Sequence, residues 1–284
     1  MIYGIIPRHT YLYYNIYMQA DYWQRQGRGK PLFPGLEWSR PENKQLAGKL
    51  LIVGGNLYGF SAPAEAYTES VKAGIGTARV LLPNAIQKIV GPLVTNAEFG
   101  ASTPSGSFSK QALGELLIQT QWADGVLFAG DLGRNSETAV LVEKFLHASE
   151  IPTVLTTDAI EYITTLPETA ITRPNTVLVT SFSQLQRLGS AVNFEKPLLF
   201  SMDLLRLIAW LHDFTDRHAP HLIVKHLDHL FVAVNGEVSV TKLDNDLEIW
   251  RLKTATHASV WWIQNPHKPF EALTAAVYSQ LFTS

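Results

Sequence analysis

Ala123-Asp-Gly-Val-Leu-Phe-Ala-Gly-Asp-Leu-Gly-Arg-Asn135 is the stretch on which the fold turns. Its apolar run from Val126 to Ala129 stops at Gly130, and Asp131 and Gly133 follow. A short apolar run closed by glycine predicts a strand buried on both faces. A glycine at its end lets the backbone turn sharply and come close to a ligand. Helical spacing flanks the run on both sides, over Lys110 to Trp122 before it and Glu137 to Ser149 after it.

The same rhythm continues outward. Toward the start, Lys49-Leu-Leu-Ile-Val-Gly-Gly55 predicts a strand, Ala62 to Gly74 a helix and Thr77 to Pro83 a second strand. Val90 to Asn96 fits either a short strand or part of the intervening helix. Toward the end, Pro152 to Asp158 predicts a strand and 159–165 a helix, followed by a strand at Thr176 to Thr180 and a short helix at Ser183 to Leu188. An apolar helix over Ser201 to Arg217, a strand from His221 to Lys225 and a last helix over 269–282 complete the pattern. Phe231-Val-Ala-Val-Asn-Gly-Glu-Val-Ser-Val240 places Asn235-Gly236 between two alternating runs, a strong hairpin signal. Apolar strands alternating with helices predict an α/β fold of three layers: a mostly parallel sheet, helices on both faces and an antiparallel hairpin at one edge. Ligands of such sheets bind beyond the carboxyl ends of the strands.

Residues 1–45 stand apart from this rhythm. Tyr3, Tyr11, Tyr13, Tyr14, Tyr17 and Tyr22 crowd the first half, and Gly27, Gly29, Pro31, Pro34, Gly35 and Pro41 punctuate the second. Residues 10–25 fit a helix with an aromatic face and 26–45 a loop. We expect an aromatic-rich arm over 1–45, laid on the main 46–284 domain or contacting a second subunit as a homo-oligomer.

Composition narrows the function classes. With 46% hydrophobic and 17% charged residues the chain has ample core material. A net charge of −2 lacks the basic footprint of a nucleic-acid binder. The absence of cysteine excludes disulfides and thiol catalysis. Neither an 18-residue apolar run nor a secretory leader pattern is present, so the expectation is a cytoplasmic protein without membrane contact. Gly54-Gly55-Asn56 is not a dinucleotide fingerprint, and no P-loop sequence occurs.

Four segments, in order, resemble the ADP- or ATP-dependent NAD(P)H-hydrate dehydratases of the ribokinase-like superfamily, over roughly residues 45–282. Lys49-Leu-Leu-Ile-Val-Gly-Gly-Asn-Leu-Tyr-Gly-Phe-Ser-Ala-Pro63, with Ala73-Gly-Ile-Gly-Thr-Ala-Arg-Val80, is similar to a strand ending in Gly-Gly-Ser and a helix ending in Gly-Ala-Gly, with Asn56 and Ile75 as replacements. Gly130-Asp-Leu-Gly-Arg134 is similar to a Gly-Pro-Gly-Leu-Gly-Arg loop. Pro152-Thr-Val-Leu-Thr-Thr-Asp158 resembles Val-Leu-Asp-Ala-Asp, with Thr156 at the first acid and Asp158 at the second. Asn175 to Leu185 resembles a strand ending in Thr-Pro-His-x-Gly-Glu: Thr180 survives, while Ser181, Phe182 and Leu185 replace Pro, His and Glu. Beyond these, Lys225-His226 stands where that family has Lys-Gly.

The resemblance implies a cleft edged by Gly55, Asn56, Gly130, Asp131, Gly133, Asp158, Thr180 and Lys225, binding ADP or ATP with Mg2+ and NAD(P)H hydrate as substrate. In that family a Gly-x-Gly-Asp segment opens a helix, its amides holding phosphate and its Asp serving as base. Arg251 to Ile263 stands in that place and holds neither glycine nor aspartate; His257 is its one candidate base. Asp131 puts a negative charge beside a phosphate site, unfavourable unless a cation intervenes. Structural alternatives accompany the functional roles: Asp158 as a helix cap, Lys225 reaching solvent, and His226, Asp228 and His229 as a surface turn rather than a metal signature. Trp261-Trp262 either fills the adenine space or belongs to the core. The expectation is a divergent dehydratase-like protein with weakened or lost catalysis and residual nucleotide binding; an active dehydratase and a small-molecule kinase are the alternatives.

Overall fold

The computed structural model describes residues 21–92, 96–244 and 250–282. The chain enters with β1 (Trp23–Gln26), α1 (Pro34–Trp38), β2 (Lys49–Gly54), α2 (Ser61–Lys72), β3 (Thr77–Pro83), α3 (Gln87–Val90) and β4 (Ala97–Gly100). It continues through α4 (Leu113–Trp122), β5 (Gly125–Gly130), α5 (Ser136–Ala148), β6 (Thr153–Thr156), α6 (Ala159–Thr164), α7 (Pro167–Thr172) and β7 (Thr176–Ser181). The last elements are α8 (Phe182–Ala191), α9 (Leu204–Arg217), β8 (His221–His226), β9 (His229–Val234), β10 (Glu237–Lys242), α10 (Arg251–Gln264) and α11 (Pro269–Phe282).

The strands form one ten-stranded sheet in the order β1-β10-β9-β8-β7-β6-β5-β2-β3-β4. Only the β8–β9 and β9–β10 pairings are antiparallel. The β9–β10 hairpin has the predicted turn: Val234 pairs with Glu237, and Asn235 and Gly236 take φ of 47° and 83°. Two successive positive φ values define the turn that matches strand twist in a two-residue loop.

Period-two alternation divides each central strand between two apolar layers. Leu51, Val53, Val126, Phe128 and Leu155 face the side covered by Leu116, Phe145, Ile160, Leu185 and Trp210 of α4, α5, α6, α8 and α9. Leu50, Ile52, Leu127, Ala129 and Val154 face Ala66 of α2, Ala255 and Ala258 of α10, and Leu273 of α11. Burial on both faces is why these strands read as unbroken apolar runs.

Three local expectations change. Residues 23–25, expected in a helix, and Gln26, expected in a loop, form strand β1, paired in parallel with β10 from Trp23 opposite Val238 to Gln26 opposite Thr241. The side chain of buried Gln26 explains the placement, because it donates to Thr241 Oγ1 and the Thr274 carbonyl at 2.9 Å each. Within 26–45 the expected loop contains α1, beginning at Pro34, whose fixed φ suits a first helical turn. In 90–96, the helix α3 ends at Val90, residues 91, 92 and 96 are in neither a helix nor a strand, 93–95 lie outside the described residues, and β4 begins at Ala97. The Tyr-rich positions before Asp21 lie outside the described residues. No helix among the described residues is long and apolar enough to cross a membrane.

Candidate functional site

The glycine loops after β2 and β5 fold onto each other. Gly55 N donates to the Gly130 carbonyl at 3.0 Å, and Asn56 Nδ2 donates to the Asp131 carbonyl at 2.6 Å. Gly130 sits at φ 119°, where a Cβ would lie 2.0 Å from Thr157 Oγ1. Glycine is therefore demanded here by conformation and by space. Asp131 holds φ 56° and sends its carboxylate to the start of α2, accepting from Ala62 N at 2.8 Å and Ser61 Oγ at 3.2 Å. The boundary residue of that helix, Phe60, supplies no side-chain cap, so Asp131 supplies one from another loop. The charge expected to trouble a phosphate is met by a helix N-terminus.

Asp158 closes the next loop. Its Oδ2 accepts from Leu132 N at 2.9 Å and Gly133 N at 3.2 Å, while no side-chain cap forms on its own helix. The capping alternative for Asp158 is thereby replaced by a bridge to the β5 loop. Burial pushes its carboxyl above the ordinary carboxylate range, against the two amides that favour the anion; neighbouring Asp131 adds to the rise.

A cavity of about 690 Å³ opens beside this bridge. Gly133 and Asp158 line it, together with Arg134, Asn135 and Ser136 of the α5 start, Glu161 and Tyr162 of α6, Gln184 and Arg187 of α8, and Arg251 of α10. Gln184 is the junction. Its Oε1 accepts from Ser181 N and from Arg251 Nη1, both at 3.0 Å, and its Nε2 donates to the Thr157 carbonyl at 2.7 Å and Glu161 Oε1 at 3.0 Å. Ser181 and Gln184 also form a capping box on α8. Arg187 pairs with Glu161. Burial holds the Arg251 guanidinium below its ordinary range, with Glu161 and Asp158 pulling the other way.

Of the nine residues expected at the site, Gly55, Asn56, Gly130, Asp131, Gly133 and Asp158 meet at one rim, and only Gly133 and Asp158 of these line the cavity. Thr180 is fully buried in β7, with its Oγ1 unpartnered among the described residues. Lys225 lies in β8 opposite Ser181 and Leu230, away from the cavity lining. His257 faces α2: its Nε2 stands 3.6 Å from Glu69 Oε2, and burial pushes its pKa down to about 4 despite that carboxylate. A neutral imidazole between two helices is not placed as a base for a cavity ligand. Trp261 and Trp262 are core residues, 0% and 3% exposed. His226 is buried, stacked on Phe182 at 4.4 Å with Phe200 edge-on at 5.2 Å, whereas His229 pairs with Asp228 at 2.8 Å.

Arg251, Gln184, Glu161 and Arg187 were not among the expected site residues. One signal was legible: Ser181-Phe-Ser-Gln184 has capping-box spacing directly after a strand, which places Gln184 at the carboxyl end of the sheet. Nothing in the sequence near Arg251 announces that its side chain meets Gln184, 67 residues earlier.

No protein-family model matches the chain. Over 125 residues, 43% of this chain, it is 30% identical to the bifunctional NAD(P)H-hydrate repair enzyme Nnr of Moorella thermoacetica. The match spans 24% of that enzyme, about a quarter of its length. A ribokinase-like superfamily protein from Enterococcus faecalis superposes with a TM-score of 0.67 at 15% identity, covering 92% of this chain and 87% of that one. The ADP/ATP-dependent NAD(P)H-hydrate dehydratase of Bacillus subtilis, co-crystallised with ATP/Mg2+, superposes with a TM-score of 0.59 at 13% identity, covering 88% and 87%. With its sheet order, its layers and these neighbours, the chain has the fold of the ribokinase-like superfamily.

Proposed function

We propose that the protein is a divergent relative of the NAD(P)H-hydrate repair enzymes that binds an adenine nucleotide, ADP or ATP, with dehydratase catalysis weakened or lost. One observation carries the reading. Helix α10 opens at Arg251, whose side chain crosses to Gln184, and residues 251–264 contain neither glycine nor a carboxylate. Phosphoryl transfer relies on positioned donors and a base near the attacking group. Asp158 Oδ2 is engaged by two backbone amides, Glu161 is engaged by Arg187 and Gln184, and His257 lies elsewhere. At about 690 Å³ the cavity falls within the roughly 300–1,000 Å³ of small-molecule pockets, room enough for a nucleotide. Mg2+ arriving with a nucleotide would be held chiefly by the phosphates. Cytoplasmic location belongs to the same reading.

Calorimetry with ADP, ATP and NADPH, with and without Mg2+, paired with an absorbance assay of NADPH-hydrate repair, tests this. The expected result is nucleotide binding without turnover. Repair at rates ordinary for an enzyme, on the order of 1 s⁻¹ or faster, overturns the loss of catalysis and favours the active dehydratase. Phosphorylation of another small molecule favours the kinase. No nucleotide binding overturns the reading itself.

A further inference from the structure

We infer that Arg251 is the anion-binding residue of the cavity, holding the phosphate group of a phosphorylated ligand through its side chain with no divalent cation between them. This rests on the nucleotide reading above and states how the ligand's charge is met. Five charged side chains line the cavity: Arg134, Arg187, Arg251, Asp158 and Glu161. Asp158 is answered by the Leu132 and Gly133 amides, and Glu161 and Arg187 answer each other. Among the described residues Arg134 and Arg251 are left without a carboxylate partner; Arg134 is exposed, whereas Arg251 is half-buried and held by a neutral acceptor, Gln184 Oε1. Among the described residues, no carboxylate lies within ion-pair distance of Arg251. A half-buried guanidinium facing a cavity without an ion-pair partner is a cation prepared for an anion.

The geometry is preorganised. Gln184 is buried, and both ends of its amide are committed: oxygen to Ser181 N and Arg251, nitrogen to Thr157 and Glu161. The guanidinium has five N–H donors, of which Gln184 accepts from Nη1. Phosphate oxygens match the remaining fork. A direct guanidinium–phosphate contact leaves no place for a divalent cation between the two groups. The volume exceeds that of a phosphate alone, which leaves room for the rest of a nucleotide or sugar phosphate.

The test is calorimetry in EDTA with ADP, ribose 5-phosphate and pyrophosphate, on the native protein, Arg251→Gln and Arg251→Lys. Thermal melts of each variant check folding. The native protein is expected to bind at least one probe without metal. Arg251→Gln should weaken it by about 10- to 100-fold, the loss of one charge-assisted contact, and Arg251→Lys should restore part as a point charge. Binding only after Mg2+ is added, or equal affinity in Arg251→Gln, overturns the inference. ADP binding unchanged in Arg251→Gln leaves the nucleotide reading standing while the inference falls. Ribose 5-phosphate or pyrophosphate binding that depends on Arg251, without ADP binding, does the reverse. Native protein that binds none of the probes overturns both. If Arg251→Gln melts far below the native protein, Arg251→Lys decides: affinity for the probes no better than a neutral side chain gives overturns the inference.

Discussion

Two stretches of the same rim treat their polar groups in opposite ways. Around Gly55, Asn56, Gly130 and Asp131 the hydrogen bonds run back into the protein: amide to carbonyl, side-chain amide to backbone, carboxylate to the α2 terminus. Around Glu161, Gln184, Arg187 and Arg251 the network borders a cavity and leaves a guanidinium without an ion pair among the described residues. The first stretch is built on glycines at positive φ, Gly55 at 86° and Gly130 at 119°, whereas the second is built on side-chain contacts. Glycine is demanded at Gly130 by backbone conformation and by space. The bridge between the two stretches is Asp158, tied to Leu132 and Gly133 on one side and lining the cavity on the other.

If the first stretch is architectural, substitutions there should cost stability, whereas the second stretch should lose ligand affinity at little cost in stability. The largest effect is expected at Gly130→Ala. A side chain at φ 119° whose Cβ lies 2.0 Å from Thr157 Oγ1 should lower unfolding free energy by about 3 kcal/mol or more, measured by denaturant titration. A cost near zero would mean that the glycine is kept for a ligand's approach rather than for the fold.

Asp158 comes next and carries a pH signature. Asp158→Ala leaves the Leu132 and Gly133 amides without their acceptor and should cost about 2 kcal/mol. Its folded-state pKa is raised, so protonation favours the fold. That contribution is fully present below the unfolded-state pKa and is lost as pH rises through the folded-state value. Asp158→Asn keeps an acceptor without the charge. It should melt at or above the native protein at neutral pH, with the advantage shrinking on acidification below the raised value. Melts at several pH values check this; a variant that loses stability at neutral pH would show that the carboxylate is needed for the loop.

The smallest effect belongs to Arg187→Ala. The Arg187–Glu161 pair is half-exposed on both sides, and such pairs contribute about 0.2–1 kcal/mol. Thermal melts should barely move. A loss of several degrees would place Arg187 with the architectural stretch.

The uninterrupted apolar strands, the helical spacing between them and Asn235-Gly236 were sufficient to specify a parallel sheet sandwiched by helices, because burial periodicity and turn chemistry are local. The same locality placed Gly130 and Gly133 at a strand end. Strand β1 was not legible: Trp-Gln-Arg-Gln has no apolar alternation, and its place is set by Gln26 reaching Thr241 and Thr274. Nor was the role of Asp131, whose acceptor sites face a helix that begins 70 residues earlier in the chain. Asp158, whose candidacy was legible, exchanged a local cap for a distant bridge. Arg251 and Gln184 meet only because the fold brings the start of α10 to the start of α8. Strand and helix identity follow from neighbours a few residues apart, whereas charge satisfaction depends on partners that only the tertiary fold brings within hydrogen-bonding distance.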